Sequence, residues 1–162
     1  MSEKIVNPDR LAAIADSFRE QDRKLVLTNG CFDLLHAGHV RYLQAARALG
    51  DALVVAINGD DSVRALKGEG RPLNSERDRA EIVAALECVD YVVLFPEMRV
   101  TRLIERVRPS IYVKGGDYTP ASLHPEERAA LERIGAKIRI LPLEPGHSTS
   151  GLIERMRRLP LG

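Results

Sequence analysis

Hydrophobic positions along the chain follow two alternating spacings. Compact apolar runs rich in β-branched residues, such as 24–28, indicate buried strands. Apolar residues that recur every three or four positions, such as Leu11, Ile14 and Phe18, indicate amphipathic helices. The predicted strands are 24–28, 52–57, 91–95, 111–113 and 137–141. The predicted helices are 8–18, 39–49, 60–66, 75–86, 100–107, 125–134 and 150–158.

Short strands that alternate with helices predict an α/β fold. The expected architecture is a doubly wound, five-stranded parallel sheet with helices on both faces, in a single domain over residues 1–162. Ligands of such sheets bind beyond the carboxyl ends of the strands. A functional site is therefore expected in the loops that follow Thr28, Ile57, Val113 and Leu141.

Composition and charge exclude several other classes. The chain has 162 residues, 44% of them hydrophobic and 29% charged, as in an ordinary globular domain. A net charge of +1 gives no bulk reason to expect nucleic-acid or membrane binding. The sequence contains neither a secretory signal nor an apolar run that could span a bilayer. Cys31 and Cys88 cannot form a disulfide framework, so we expect a reducing, cytoplasmic setting.

The segment with the most chemical content runs from the first strand into the next helix. Residues 28–39 read Thr-Asn-Gly-Cys-Phe-Asp-Leu-Leu-His-Ala-Gly-His. Gly30 allows close approach of a ligand to the backbone, and the helix N-terminus near Gly38 offers free N–H groups to a phosphate. His36 and His39 are three positions apart and could point the same way. Two imidazole donors beside a helix N-terminus suit a phosphate whose charge develops in a transition state.

This segment resembles the Gly-[Thr/Cys]-Phe-Asp-x-x-His-x-Gly-His signature of the cytidylyltransferase-like nucleotidylyltransferases, with Gly30 to His39 at the matching positions. The resemblance covers most of the chain and implies a Rossmann-like fold. It also implies transfer of a nucleoside monophosphate from a nucleoside triphosphate to a phosphorylated substrate. The family's second motif, a Ser/Thr-rich turn before the last helix, corresponds to 146–150, where His147 and Ser150 depart from the usual residues.

Two further segments narrow the resemblance. Residues 66–74 and 113–119 look like the branch that adenylylates D-glycero-β-D-manno-heptose 1-phosphate to give ADP-heptose for bacterial lipopolysaccharide. In many bacteria this domain is fused to a sugar kinase, which we do not expect here. Glycerol-phosphate, choline-phosphate and ethanolamine-phosphate cytidylyltransferases and FMN adenylyltransferase share the histidine motif and remain alternatives. A non-catalytic nucleotide sensor is a further alternative.

The resemblance also implies a mechanism. An oxygen of the substrate phosphate attacks the α-phosphorus of ATP in line and releases pyrophosphate, so no protein nucleophile is required. His36 and His39 would stabilise the transition state, and Lys67 would be a mobile cation on a flexible loop. Arg79 occupies the position of a phosphate-binding arginine, with Arg77 as the competitor in the wrong register.

The remaining site residues are assigned by resemblance to the two substrates. Those expected to contact the nucleotide are Gly30, Cys31, Phe32, Gly38, Gly115, Gly116, Ser148, Thr149 and Ser150. Those expected to contact the acceptor are Asp33, Asn58, Asp60, Lys114 and Asp117. Asp33 could instead orient its loop, and Asn58 or Asp60 could simply cap the helix that follows.

The cofactor and partner predictions are short. Mg²⁺ is expected to bridge the triphosphate oxygens, and we name no protein ligand for it because the sequence shows no dedicated carboxylate cluster. ATP and a phosphorylated small molecule are the expected partners. By resemblance the chain is expected to form a homodimer, with no nucleic-acid or membrane partner.

Overall fold

The fold is built on a parallel β-sheet. The structure, a computed structural model, describes residues 2–116, 118–142 and 144–161. In this part of the chain five parallel strands are hydrogen-bonded in the order β3-β2-β1-β4-β5. The strands are β1 (Leu25–Gly30), β2 (Ala52–Asn58), β3 (Tyr91–Phe95), β4 (Ile111–Gly115) and β5 (Lys137–Leu141).

Helices precede β1, connect the successive strands and follow β5. They are α1 (Pro8–Glu20), α2 (Ala37–Arg47), α3 (Asp60–Lys67), α4 (Glu76–Ala84), α5 (Thr101–Val107), α6 (Pro125–Ile134) and α7 (Thr149–Arg157), with a short 3₁₀ helix at Pro120–Ser122. Local sequence explains where several of them begin. The Asn7 side chain accepts a hydrogen bond from the backbone of Arg10 at 2.8 Å and caps α1, and the Ser75 side chain caps α4.

The predicted sheet and its helices are confirmed, but some elements have different ends. β1 continues through Gly30 because its last residues pair with β2, where Gly30 lies opposite Ile57. β4 continues through Lys114 and Gly115, which the sequence had placed in a loop. The helix predicted at 39–49 begins two residues earlier, at Ala37.

Two hydrophobic layers cover the sheet, one on each face. Alternate residues of β2 point to opposite faces: Val54 packs in the layer that α1, α5 and α6 cover, and Val55 packs in the layer that α2 and α4 cover. Burial of both faces explains why β2 is a continuous apolar run. None of the helices among residues 2–116, 118–142 and 144–161 has the length and apolar character needed to cross a membrane.

The strand order places a crevice at the centre of the sheet. β1 and β4 are neighbours, but the helix that follows β1, α2, packs on one face, whereas the helix that follows β4, α6, packs on the other. The loops after the two strands therefore diverge, and ligands of open α/β sheets bind at such a point. The fold directs the search for a site to the carboxyl ends of β1 and β4.

Candidate active site

Two pockets meet at the carboxyl ends of β1 and β4. The first pocket, of about 440 Å³, lies between the start of α2 and the start of α7 and is lined by His36, Tyr42 and His147 among others. The second pocket, of about 360 Å³, opens toward the end of α3 and the start of α6. The residues that line both pockets are Asn29, Gly30, Cys31, Phe32, His39, Lys114 and Thr149. The shared residues mark where groups bound in the two pockets would meet.

His36 and His39 form a stacked pair at the start of α2. Their ring centroids lie 3.9 Å apart with 27° between the planes. The backbone N–H of His36 donates to Nδ1 of His39 at 3.3 Å. A neutral His39 ring that accepts at Nδ1 carries its proton on Nε2, which is then free to donate to a ligand. The expectation that the two histidines point the same way agrees with this geometry.

Burial keeps both imidazoles neutral. It lowers the pKa of His39 to about 4, with a smaller contribution from the nearby His36. Burial also lowers the pKa of His36, with a further contribution from His147. At neutral pH the pair therefore offers neutral N–H donors rather than two positive charges. Neutral rings do not repel each other even with their centroids 3.9 Å apart, and their N–H groups still stabilise charge on a phosphate.

Two glycines of the motif make room for side chains. A Cβ atom on Gly30 would lie 2.8 Å from the ring of Phe32, and one on Gly38 would lie 2.7 Å from Cβ of His147. The sequence had assigned Gly30 to close approach of a ligand; in the structure the closest neighbour at that point is the Phe32 ring. Gly38 instead lets the loop before α7 pack against the start of α2 and brings the two motifs together.

The second motif forms the opposite wall of the first pocket. Ser148 caps α7, with its Oγ accepting from the backbone N–H of Gly151 at 3.0 Å, and Thr149 follows in the first turn. Both line the first pocket. Ser150, also predicted to contact the nucleotide, is exposed on α7 and is not among the residues that line the described pockets.

The imidazole of His147 lies nearly parallel to that of His36, on the wall of the same pocket. Its ring lies 6.4 Å from that of His36 at an interplanar angle of 20°. Its Nε2 lies 3.3 Å from a guanidinium nitrogen of Arg41, which also pairs with Glu144. No role for His147 could be predicted from the sequence; the structure places it in the wall of the first pocket.

Arg79 lies in a buried network of hydrogen bonds. Its side chain is fully buried, and the guanidinium donates to the backbone carbonyls of Cys31 at 2.7 Å and Asn58 at 2.8 Å. It also donates to the carbonyl of Asn74 and to the Asp60 carboxylate. Its Nε, Nη1 and Nη2 atoms all donate within the protein, so Arg79 ties the loop after β1 to β2 and α4, and its role as a phosphate ligand stays a prediction.

Asp33 orients a loop, which was one of its two predicted roles. Its buried carboxylate accepts from the backbone N–H groups of Leu73 and Asn74 and from Nε of Arg71 at 2.8 Å. Burial alone would raise the pKa of Asp33, but these donors outweigh it and hold the pKa below its usual value. The carboxylate therefore fastens the 71–74 segment to the motif loop.

Asn58 and Asp60 also make contacts within the protein. The Asn58 amide donates to Oγ of Ser62 at 3.3 Å, and Asn58 lines the second pocket. The Asp60 carboxylate pairs with Arg79 at 2.8 Å, while its backbone N–H donates to Glu76. The geometry thus leaves Asn58 at the pocket wall and uses Asp60 to hold Arg79 in place.

The remaining predicted residues divide between the pockets and their rims. Lys67, exposed at the end of α3, lines the second pocket, and Lys114 lines both pockets. Gly115 lines the first pocket beneath Tyr42, whereas Gly116 follows β4 with its N–H bonded to the carbonyl of Leu141. Asp117 lies outside the described residues.

Sequence reasoning missed three charged residues of the second pocket, namely Arg71, Arg99 and Glu127. Arg71 lies in the 66–74 segment that carries part of the resemblance, so that segment could have identified it. Arg99 and Glu127 are charged residues in regions without a motif. Their place at the pocket follows only from the packing of α5 and α6.

Comparisons with known proteins agree with this fold and site. The chain is 51% identical to the Bifunctional protein HldE of Geotalea uraniireducens over 95% of the chain and 31% of that protein. It is 48% identical to the protein of the same name from Geobacter metallireducens over 96% of the chain and 31% of that protein. The chain thus spans less than a third of the length of these curated relatives.

Two solved structures share the fold. The lipopolysaccharide core biosynthesis protein from Thermoplasma volcanium has 28% identity and a TM-score of 0.62, over 75% of this chain and 97% of that one. The pantoate-beta-alanine ligase from Francisella tularensis has a TM-score of 0.60 over 98% of this chain and 74% of that one. At 16% identity, the second likeness concerns the fold alone.

The parallel sheet and the histidine pair at its central crevice are those of the Rossmann-like nucleotidylyltransferase fold class. A family model described as Cytidylyltransferase-like matches residues 27–155, from β1 into α7. The chain belongs to the cytidylyltransferase-like family.

Proposed function

We propose that this chain is an adenylyltransferase that transfers AMP from ATP to D-glycero-β-D-manno-heptose 1-phosphate, giving ADP-heptose and pyrophosphate. The observation that carries the proposal is the neutral, stacked pair of His36 and His39 where two pockets meet. One pocket suits the nucleotide and the other suits the phosphorylated acceptor. The pair lies where the phosphates of the two substrates would approach each other.

The reaction follows from this arrangement. An oxygen of the acceptor phosphate forms a bond to the α-phosphorus of ATP, and the bond between the α-phosphorus and the bridging oxygen to the β-phosphate breaks. The electron pair leaves with pyrophosphate. The acceptor phosphate is already anionic near neutral pH, so the protein needs only to position both substrates and stabilise the developing charge. Nε2 of His39 is a donor available for that charge, because Nδ1 accepts from the backbone N–H of His36.

Cations of the two pockets support the same reaction. Lys114 lies between the pockets, and burial lowers its pKa. Lys67 lies on the exposed end of α3, beside the 71–74 segment that Asp33 holds. An ammonium on a flexible side chain can follow a phosphate from binding to transfer. Lys67 and Lys114 would therefore neutralise phosphate charge from two sides.

Mg²⁺ would bind chiefly through the triphosphate. Among residues 2–116, 118–142 and 144–161, His, Cys, Asp and Glu side chains do not form a group of three that could hold a metal ion. Mg²⁺ keeps several of its waters and takes phosphate oxygens together with few protein ligands, so it needs no dedicated protein cage. When bound, Mg²⁺ supplies charge neutralisation at the triphosphate, while the histidines and lysines orient the substrates.

The choice of substrates is supported by the relatives. The relatives at about 50% identity are bifunctional, and a solved relative is a lipopolysaccharide core biosynthesis protein. The family model described as Cytidylyltransferase-like matches residues 27–155 of this chain, and the match to the first relative covers 95% of the chain. These relationships favour a sugar phosphate destined for lipopolysaccharide and the nucleotidyl-transfer half of a two-step sequence. By resemblance, we also propose that the chain acts in the cytoplasm and forms a homodimer. Sedimentation analysis tests the oligomeric state.

A substrate panel tests the proposal. Purified protein with Mg²⁺ is given ATP or CTP together with heptose 1-phosphate, glycerol 3-phosphate, phosphocholine, phosphoethanolamine or FMN, and pyrophosphate release is measured. The proposal predicts release with ATP and heptose 1-phosphate. Release only with CTP or with another acceptor would support nucleotidyl transfer and show that the substrates differ from those proposed. ATP binding without release in any combination would contradict the enzymatic role and favour a nucleotide sensor.

A further inference from the structure

The second pocket contains a buried carboxylate that the proposed reaction does not use. Glu127 lies in the first turn of α6, is 4% exposed and lines the pocket. Asp33, the other carboxylate of the pocket wall, is saturated by Arg71 and two backbone N–H groups. Glu127 is therefore the carboxylate of this wall that has unused capacity to accept hydrogen bonds.

The hydrogen bonding of Glu127 is weak for a buried charge. Within the described part of the chain, its one hydrogen bond comes from the backbone N–H of Val100 to Oε1, at 3.5 Å. That distance is at the outer limit for such a bond. Buried carboxylates normally have several donors, because loss of their hydration is costly. The carboxylate thus lacks donors that a ligand in the pocket could supply.

Charges around the pocket divide it into two ends. Lys67 and Arg71 lie near Cys31, where their charges oppose the burial that raises the pKa of the Cys31 thiol. Glu127 and Arg99 lie near Lys114: burial lowers the pKa of Lys114, the charge of Glu127 opposes that shift and the charge of Arg99 adds to it. The end near Cys31 contains Lys67 and the Arg71–Asp33 ion pair, and the region around Lys114 contains the Glu127 carboxylate and Arg99.

This division indicates how an acceptor would lie. The acceptor phosphate must reach the histidine pair to react, so it belongs near His39 and Lys67, and the Glu127 carboxylate, which would repel a phosphate, faces the rest of the acceptor. A cationic group such as choline would meet Arg99 and Lys114 at the other end. Neutral hydroxyl groups satisfy a carboxylate without opposing those cations, because an O–H donates to the carboxylate and accepts from the cations.

We propose that Glu127 binds hydroxyl groups of the acceptor and selects a polyhydroxylated phosphate over phosphates that carry an amine or an apolar group. This inference rests on the proposed function for the identity of the acceptor pocket. Glu127 contacts the substrate away from the reacting atoms, so it determines specificity. Its removal weakens acceptor binding and leaves the nucleotide pocket unchanged.

The test compares Glu127→Gln with Glu126→Gln. Glu127→Gln keeps an oxygen for the Val100 N–H, but it removes the charge and replaces the other carboxylate oxygen with an NH₂ donor; Glu126 is an exposed neighbour in the same turn and serves as the matched control. Calorimetric binding of heptose 1-phosphate, steady-state KM for both substrates and melting temperature are measured for each protein. Calorimetry reports on Glu127 even if the protein does not turn over.

Glu127→Gln is expected to raise the Kd and KM for the sugar phosphate roughly tenfold or more, the effect of a lost hydrogen bond to a charged group. The KM for ATP and the melting temperature should match those of Glu126→Gln. The wild-type protein should bind deoxy analogues of the acceptor more weakly than the acceptor itself, and this difference in Kd should be smaller in Glu127→Gln. Weaker binding without turnover in either protein would support the role of Glu127 and contradict the proposed reaction.

Two results would overturn the role of Glu127. The first is acceptor binding equal to that of Glu126→Gln. The second is a lower melting temperature with unchanged acceptor binding, which would make Glu127 a structural tie between α6 and the start of α5. The wild-type protein must also bind heptose 1-phosphate, and failure to do so would overturn the role as well. If the wild-type protein turns over and Glu127→Gln has an unchanged Kd and KM for heptose 1-phosphate, this inference is contradicted and the proposed function is not.

Discussion

His36 and His39 stack at the start of α2 with their ring centroids 3.9 Å apart. Two protonated imidazoles at this distance would repel each other, and burial lowers the pKa of both rings. The pair therefore acts through hydrogen bonds from neutral rings. This arrangement stabilises charge that develops on a phosphate and leaves the cationic role to lysines.

Removal of the His39 donor should slow chemistry. We expect His39→Ala to lower kcat by about 10²-fold or more, the usual effect of losing one preorganised donor to a developing charge. His39→Gln, which keeps an N–H donor, should lose less. Steady-state pyrophosphate release measures both. A change in kcat of less than about threefold for His39→Ala corresponds to well under 1 kcal/mol and would exclude this role.

The pKa of His39 predicts a dependence of stability on pH. Folding lowers this pKa from 6.5 to about 4, so between those values the unfolded chain binds a proton that the folded chain does not. The contribution is fully present above about pH 6.5 and is lost as the pH falls toward 4. We expect the free energy of unfolding to fall in this window, and to fall less for His39→Gln.

Urea unfolding of both proteins between pH 4 and 7 measures this difference. Other titrating groups are common to the two proteins, so the difference between the curves isolates the contribution of His39. Parallel curves would show that His39 has the same pKa in the folded and unfolded states.

Arg79 should be needed for the fold before it is needed for catalysis. Its loss leaves the buried carbonyls of Cys31 and Asn58 without their donor, so we expect Arg79→Met to destabilise the protein by about 3 kcal/mol. Arg77→Met, on the exposed face of the same helix, should change stability by less than about 1 kcal/mol. Denaturant unfolding measures both. An Arg79→Met protein of normal stability with lost activity would instead support a direct phosphate contact.

Lys67 should act on substrates without supporting the fold. Because its side chain is exposed at the end of α3, we expect Lys67→Ala to raise KM or lower kcat roughly tenfold while the melting temperature stays unchanged. Kinetics and thermal unfolding of the same preparation check this. A large fall in melting temperature with normal kinetics would show that Lys67 has a structural role.

Much of the fold could be predicted because periodicity is a local property. The strand at 91–95 and the helix at 125–134 have the predicted ends, since turn and capping residues flank them. The end of β4 could not be predicted in this way. Lys114 is polar and looks like a loop residue, yet it continues the strand because Ile140 of β5 lies opposite it. Strand ends depend on neighbours that lie far away in the sequence.

The same distinction between local and distant determinants applies to the residues of the site. The His36 and His39 pair lies within one contiguous motif, so the sequence predicted it. Arg79 and Glu127 obtain their environments from distant segments: the guanidinium of Arg79 donates to Cys31, and the carboxylate of Glu127 accepts from Val100. A charged residue in a helix has no sequence signal for burial of this kind. Such roles emerge only when the packing of the helices is known.

Transfer of labelled phosphate tests the central claim most directly. ATP labelled at either the α- or the γ-phosphate is incubated with the protein, Mg²⁺ and heptose 1-phosphate, and the products are separated. Attack at the α-phosphorus predicts that the α-label enters the sugar nucleotide and that the γ-label leaves in pyrophosphate. Appearance of the γ-label in a sugar product, or absence of the α-label from it, would contradict adenylyl transfer by this site.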